Sequence, residues 1–303
     1  FVLCFNGGVL ALECILQRVH FGDYQGKLLF LVEPTINGLN LAQFGPFAYR
    51  SNAASYLNLI WPIGLGLLVQ LGRHNLEYGK KRIGNGPELL LAPCIILSAS
   101  CPIISSSRGG ALVMIGLLII IAGSLMFVKV QSKFLRFTVL SVLFVGLGVG
   151  YQFGWEKFES RLINIFSEDI GGRKQIYEVV NEMINNYGLF GSGPGTFETI
   201  VQFELGAVLN YWETWVHNDY LEFYLTFGKA GASILIIIGI IFLFQSAIAL
   251  MSRERILAFF VIISLIGVFI HAVADFPLQT YSVLILICIL LNCITSAEFQ
   301  TRK

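Results

Sequence analysis

Apolar residues along this chain come in long blocks rather than in the short amphipathic periods of a soluble domain. Eight blocks stand out, at about 1–16, 55–71, 88–105, 109–128, 134–153, 230–250, 256–274 and 278–295. Continuous apolar stretches of this kind, about 18 residues or more, predict membrane-crossing helices. The clearest block runs from Ala230 through SILIIIGIIFLFQSAIAL. Glycine and proline recur inside the blocks (Pro62, Gly64, Gly66, Gly146, Gly148, Gly150), which weakens a soluble helix but suits close helix approach in lipid. The expected fold is all-α: a polytopic membrane helix bundle of about eight spans with a large, mostly helical periplasmic loop. The first block opens at Phe1 without a charged leader, so we expect further spans to precede it.

Charge placement gives the blocks a sidedness. Eleven of the 20 Lys and Arg residues fall on alternate connections: Arg73, Lys80, Lys81, Arg82, Lys129, Lys133, Arg136, Arg253, Arg255, Arg302 and Lys303. By the positive-inside rule that side is cytoplasmic. The chain then divides into spans one to five over 1–153, with an outward loop at about 17–54, a large periplasmic loop at 154–229, and spans six to eight with a short tail over 230–303. From Gly154 to Gly228 there are eleven acidic and four basic residues, a net of −7. Ordered structure is expected there, because the segment is rich in aromatics (Trp155, Phe166, Tyr177, Phe197, Tyr211, Trp212, Trp215). From Arg173, the positions Ile176, Val179, Val180, Met183, Ile184 and Tyr187 follow helical spacing. Gly171-Gly172 would start that helix and Gly188 stop it.

Composition adds weight. Apolar residues make up 55% of the 303, charged residues 13%, and mean hydropathy is +0.73. Soluble domains carry about 25% charge, so a cytosolic enzyme, a nucleic-acid binder and a disulfide scaffold are excluded. The net charge of +1 names no partner. The six cysteines lie in or beside apolar blocks without metal-site spacing, and buried, inert thiols are expected.

Several outward polar residues have no place in a simple span. Arg108 follows three serines and precedes Gly109-Gly110. Arg173 stands at a helix start, where backbone N–H groups and the dipole favour anions and a guanidinium adds a planar fork for phosphate. His217 begins His217-Asn218-Asp219-Tyr220-Leu221 where the chain re-enters the membrane, and a neutral imidazole there can accept a proton. His271 and Asp275 lie four residues apart before Pro277, placed for a relay, a supporting pair or a cap. Arg50 is a further outward cation just before a span. Gly191-Ser192-Gly193-Pro194-Gly195 meets no nucleotide fingerprint and predicts a rigid turn that places the preceding helix against the following chain. No Asp-x-Asp pair stands in the outward loop, where Glu168-Asp169 are adjacent, so a divalent-metal, nucleotide-sugar mechanism is not indicated.

Cations beside lipid suit a lipid-linked pyrophosphate. Such a leaving group needs its growing charge stabilised, while an acceptor hydroxyl needs a base. Ser105-Ser106-Ser107-Arg108-Gly109-Gly110, Gly171-Gly172-Arg173, Gly191 to Phe197 and His217 to Leu221, in that order, resemble the bacterial O-antigen ligase and polymerase family. Gly45-Pro46-Phe47, Arg50-Ser51-Asn52 and Tyr56-Leu57 resemble it too. That resemblance implies a GT-C-like glycosyltransferase of the bacterial inner membrane, working at the periplasmic face on an undecaprenyl-pyrophosphate-linked glycan without cofactor or metal. It implies that Arg108 and Arg173 bind the pyrophosphate and that His217 activates the acceptor hydroxyl of a glycan, lipid A-core or protein. Asp219, within the His217 motif, joins Arg50, His271 and Asp275 as expected substrate-binding residues; the last three come from position alone. The alternative reading is a polytopic secondary transporter or lipid-linked glycan flippase, with Arg108 and His271 lining a pathway. Against it, no half-to-half repeat is visible and the ionisable residues gather at one face.

Overall fold

A computed structural model describes residues 1–21, 43–77, 88–127, 133–163, 170–204 and 215–296. The expectations for Glu168-Asp169, for Phe166, Tyr211 and Trp212, and for much of the 17–54 loop and the basic connections at Lys80 to Arg82 and Lys129 lie outside those residues. Among the described residues the chain is all-helical: α1 (Val2–Phe21), α2 (Arg50–Glu77), α3 (Glu88–Ile104), α4 (Arg108–Phe127), α5 (Lys133–Ile163), α6 (Ile170–Tyr187), α7 (Phe197–Glu204), α8 (Asp219–Leu250), α9 (Arg255–His271) and α10 (Tyr281–Thr295), with a 3-10 turn at Pro277–Gln279. Four helical stretches are long and apolar enough to cross a membrane: Val2–His20, Arg50–His74, Arg136–Ser160 and Asp219–Leu250. Four shorter apolar helices occupy the remaining block positions.

α2 is the centre of the bundle. It packs on α1, α3, α4 and α9, and Leu57, Leu59, Trp61 and Leu65 on it are fully buried. Polar ties fix its contact with α4: Asn58 accepts from Trp61 Nε1 at 3.0 Å and donates to the Gly110 carbonyl at 2.9 Å. The glycines of the Arg108-Gly109-Gly110 stretch explain themselves here. A Cβ at Gly110 would stand 2.3 Å from the Ala54 side chain, and one at Gly109 would stand 2.8 Å from His271 Nε2. At the far end of α2, Gln70 donates to Glu254 in the α8–α9 turn. The N-termini of α2, α4 and α8 and the C-terminus of α9 therefore share the opposite end of the bundle.

Two helices outrun their apolar blocks. α5 continues ten residues past 153, because Phe158 packs inward while Glu156 and Glu159 stay in the open and Gly154 lies against the Ile104 backbone. α8 begins at Asp219 rather than 230, and its first turns bury Asp219, Glu222, Leu225 and Thr226 on one face, a spacing that polar side chains hid from a hydropathy reading. The cysteines are all free, and Cys4, Cys14 and Cys101 are buried as expected; Cys288, on the outer face of α10, is exposed instead.

α6 spans the helix expected at Arg173, with Gly188 (φ 60°) ending it. Its apolar face, Ile176, Val180 and Met183, packs with Phe197 and Val201 of α7 and with Val216 and Leu225. The glycine-rich turn after α6 locks into a break in α8. At Gly228 (φ 61°, ψ −160°) α8 leaves helical geometry, which removes the normal donors from the carbonyls of residues 225 and 226. Ser192 N–H donates to Leu225 O and Gly193 N–H to Thr226 O, both at 2.9 Å, and Ala230 N–H donates to Leu189 O at 3.0 Å. Every backbone group freed by the break that these bonds name is satisfied by the turn, as buried peptide groups require.

Gly228→Ala should destabilise the protein strongly. Its φ/ψ is accessible essentially to glycine alone, a strain of about 1–3 kcal/mol for other residues, and the new Cβ would meet Leu189 O at 2.4 Å and Gly191 N at 2.5 Å. Gly239→Ala on the same helix, where a Cβ meets nothing within 4 Å, should leave the melting temperature unchanged within about a degree or two, since a change of about 1 kcal/mol moves Tm only a few degrees. Equal melting temperatures for the two variants in detergent would contradict the turn-in-break packing.

Candidate functional site

The helix ends that share one face of the bundle bring widely separated residues together. His217 precedes the N-cap of α8, Asn218, whose side chain accepts from Leu221 N–H at 3.0 Å. His217 itself has φ 58°, a left-handed conformation costing about 1–2 kcal/mol. Neighbours hold it there. Tyr177 of α6 donates to its carbonyl at 3.0 Å, and the preceding Val216 N–H donates to Glu222 Oε2 at 2.8 Å. Burial lifts the Tyr177 phenol above its ordinary range, aided by the Asp275 charge and opposed by that of Arg173, so it remains a donor at neutral pH.

The imidazole of His217 meets Asp275, with Nδ1 3.2 Å from Oδ1. His217 keeps 21% of its side chain exposed, Asp275 only 8%. The pair thus has an outer base and an inner carboxylate. Donation from Nδ1–H to the carboxylate leaves Nε2 with the basic lone pair. Asp275 Oδ1 also accepts from Phe276 N–H at 3.1 Å, and Oδ2 accepts from Ser51 at the head of α2. Burial by itself would raise the Asp275 carboxyl. Hydrogen bonds from His217 and Ser51 and the imidazoles of His271 and His217 outweigh it and hold the group below the usual carboxylate range.

Arg173, in the first turn of α6, donates from Nη1 to the Ala274 carbonyl at 2.7 Å. That anchors its guanidinium one residue from Asp275 and, through Tyr177 one turn on, beside His217. Arg108 is the first residue of α4 and is half-buried. It sits between Ser107, whose Oγ lies 3.1 Å from Ser51 Oγ, and Gly109, which lies against the His271 ring. Arg50, also half-buried, is the first residue of α2, next to Ser51. The two arginines and the histidine expected to work together therefore converge on the stretch 271–276.

Three of the expected substrate-binding residues, His271, Asp275 and Asp219, are buried. His271 is fully buried, with both ring nitrogens against serines of α2. Asp275 lies behind His217. Asp219 is buried and its carboxylate is engaged: Oδ2 accepts from Leu278 N–H at 2.7 Å and Oδ1 from Gln279 Nε2 at 3.0 Å, while its own N–H donates to Ala272 O at 2.9 Å. This clamps the start of α8 to the 272–279 segment. All three are covered for the same reason: α2, α4 and α8 close over the end of α9.

Residues not anticipated at the site are Ser51, Ser55, Tyr49 and Phe276. Ser51 and Ser55 are one turn apart at the head of a largely apolar helix, a signal that hydropathy averages away. Phe276 is stacked between Tyr49 (centroids 5.1 Å apart) and Trp215 (4.9 Å), and His217 rests against Phe276 at 5.1 Å. Among the described residues no group of three or more His, Cys, Asp or Glu side chains is placed to hold a metal ion.

Residues 93–236 of the chain match a family described as O-antigen ligase. That match supports the family expected from the ordered motifs. The matched stretch runs from α3 into α8 and includes Arg108, Arg173 and His217; Ser51, His271 and Asp275 lie outside it. No curated protein and no solved structure matches the chain. That likeness, together with several apolar helices, supports a multi-pass membrane protein of O-antigen ligase type.

Asp275 also supplies a pH signature. A carboxyl held below its ordinary range in the fold stabilises the protein above the unfolded value, near pH 4, and loses that contribution as pH falls through the lowered one. Asp275→Asn should therefore melt lower than wild type at pH 6–7, and the gap should narrow below about pH 4. A gap independent of pH, read by thermal melting across that range, would show that the carboxylate charge is not what stabilises the site.

Proposed function

We propose that the protein is a membrane glycosyltransferase that moves a glycan from an undecaprenyl-pyrophosphate donor to an acceptor hydroxyl at the periplasmic face of the bacterial inner membrane. The observation that carries this reading is the convergence of His217, its Asp275 partner and the Arg173 guanidinium at one end of the bundle. In the proposed topology all eight apolar helices cross the membrane. Spans one to five lie over 1–153, the segment 154–229 is periplasmic, and spans six to eight lie over 230–303. The exposed basic turn at Arg253 to Arg255 then faces the cytoplasm and the site faces outward, in keeping with the positive-inside rule.

In the proposed reaction, His217 Nε2 takes the proton of the acceptor hydroxyl as that oxygen attacks the anomeric carbon. The bond from that carbon to the pyrophosphate oxygen breaks, and its electron pair stays on the pyrophosphate. Arg173 and Arg108 stabilise the charge that grows there, and Arg50 extends the cationic rim. Asp275 keeps His217 in the Nδ1–H tautomer and balances the imidazolium that forms. A single displacement inverts the anomeric centre. No step needs a metal or a nucleotide. Polymerisation of a surface polysaccharide is preferred over ligation to lipid A-core or transfer to protein, because it requires no special partner as acceptor.

His217→Ala should lower transfer at least 100-fold, the scale of a lost general base, with expression and membrane insertion unchanged. Near-normal product from that variant would remove His217 as the base. Arg173→Lys should lower transfer about 10-fold, because a point charge cannot make the bidentate contact of a guanidinium. An unchanged rate would leave Arg173 a structural anchor of α6 alone. In a deletion strain, absence of long polymer with single repeats still attached would mark a polymerase, and bare core a ligase.

A further inference from the structure

His271 is the most deeply placed ionisable group at this face, and the catalytic scheme above does not use it. Its Nδ1 lies 2.6 Å from Ser55 Oγ and its Nε2 3.2 Å from Ser51 Oγ. Each serine has a single proton to donate. Ser55 gives its proton to the Ser51 carbonyl at 3.0 Å, so it accepts from His271, and Nδ1 carries a hydrogen. Ser51 gives its proton to Asp275. The Ser51 oxygen then offers only lone pairs to its other neighbours, Ser107 Oγ and His271 Nε2. Ser107 can donate, since its own oxygen accepts from Gly110 N–H at 3.2 Å. The remaining contact closes only when Nε2 also carries a hydrogen.

With all of these contacts made at once, the chain His271–Ser51–Asp275 holds one proton more than a neutral imidazole beside an ionised carboxylate would. That proton sits on His271 Nε2. It balances the Asp275 carboxylate, so the buried cluster is electrically neutral, which is how a low-dielectric site accommodates charge. Resting on the reading of His217 as the base, we propose that His271 is a positioning residue that acts through Ser51 and Asp275 to share the carboxylate between two imidazoles and so to set the basicity of His217.

The charged and titratable groups around His271 come from every packed element. Asp275 lies in its own C-terminal loop and His217 precedes α8. Arg173 stands on α6, Asp219 heads α8, and Arg50 and Arg108 head α2 and α4. Removing the His271 proton would leave the full carboxylate charge to His217 and raise the basicity of that imidazole.

The test is the pH profile of kcat/KM for the full chain in lipid nanodiscs, with lipid-linked glycan as donor, whose acid limb reports the free base. His271→Gln should keep measurable turnover, with kcat lowered about 10-fold, donor KM within about twofold, and the acid limb moved up by about one pH unit. Ser51→Ala should reproduce that displacement, and Ser51→Thr, which keeps a hydroxyl, should restore the wild-type limb. Ser51→Ala carries the test alone if His271→Gln fails to fold. An acid limb unmoved in the folded variants would overturn the proposal, whatever the loss of rate, because a purely packing role changes amplitude without moving the limb. His217→Ala in the same assay separates the two ideas: full activity there sinks the base assignment itself, whereas inactivity there with an unmoved limb in Ser51→Ala sinks only the role of His271.

Discussion

A single buried carboxylate constrains the architecture of this face. Asp275 is removed from solvent yet held in its charged form, and an unpaired charge in such a place costs several kcal/mol. The chain meets that cost with donors drawn from three directions: a serine from the head of α2, an imidazole from the approach to α8, and the backbone of Phe276. Each donor depends on a helix ending where it does. Ser51 is in place because α2 starts at Arg50, and His217 because α8 is capped at Asn218. Displacing any of these ends would leave the carboxylate under-satisfied, so the helix termini are fixed by electrostatics as much as by apolar packing.

The same carboxylate grades the site from outside to inside. Arg173 and His217 retain contact with the surroundings. Asp275 lies behind them, and Ser51, His271 and Ser55 lie behind Asp275. In the proposed reaction, the groups that meet the substrate are thus supported by groups buried behind them. The close approach this layering needs is made possible by missing side chains. Gly109 admits the His271 ring, and Gly110 admits Ala54 of α2. The motif around Arg108 is therefore a packing device and a cation at once, which is why its serines and glycines cannot be separated from its arginine.

The segment from α6 to the break in α8 solves a second problem. A helix that leaves its axis inside a bundle strands peptide groups, and the turn at Gly191 to Gly195 supplies their partners. Through that lock α6 is held at a fixed height, and Tyr177 and Arg173 on it reach His217 and Ala274. Rigidity at the turn is transmitted to the site by the α6 helix.

The sequence by itself determined the helices and singled out Arg108, Arg173 and His217. Apolar block length predicts helices at all eight positions and helical spacing predicts α6; Arg108 stands out among small residues at the end of a span, Arg173 at a helix start, and His217 just before the last three apolar blocks. The family followed from the order of short motifs, none sufficient alone. Boundaries were less legible: α5 and α8 extend into polar sequence, because burial of one face, not average hydropathy, decides where a helix ends. Only the tertiary structure decided which polar residues are inner and which outer. Ser51 and Ser55, one turn apart, are hidden by the average hydropathy of α2, Phe276 carries no signal of its own, and nothing local to Asp219 or His271 says that neighbouring helices will cover them. Those assignments depend on contacts between residues up to 224 positions apart, and spacing along a chain cannot report which of its helix ends will meet.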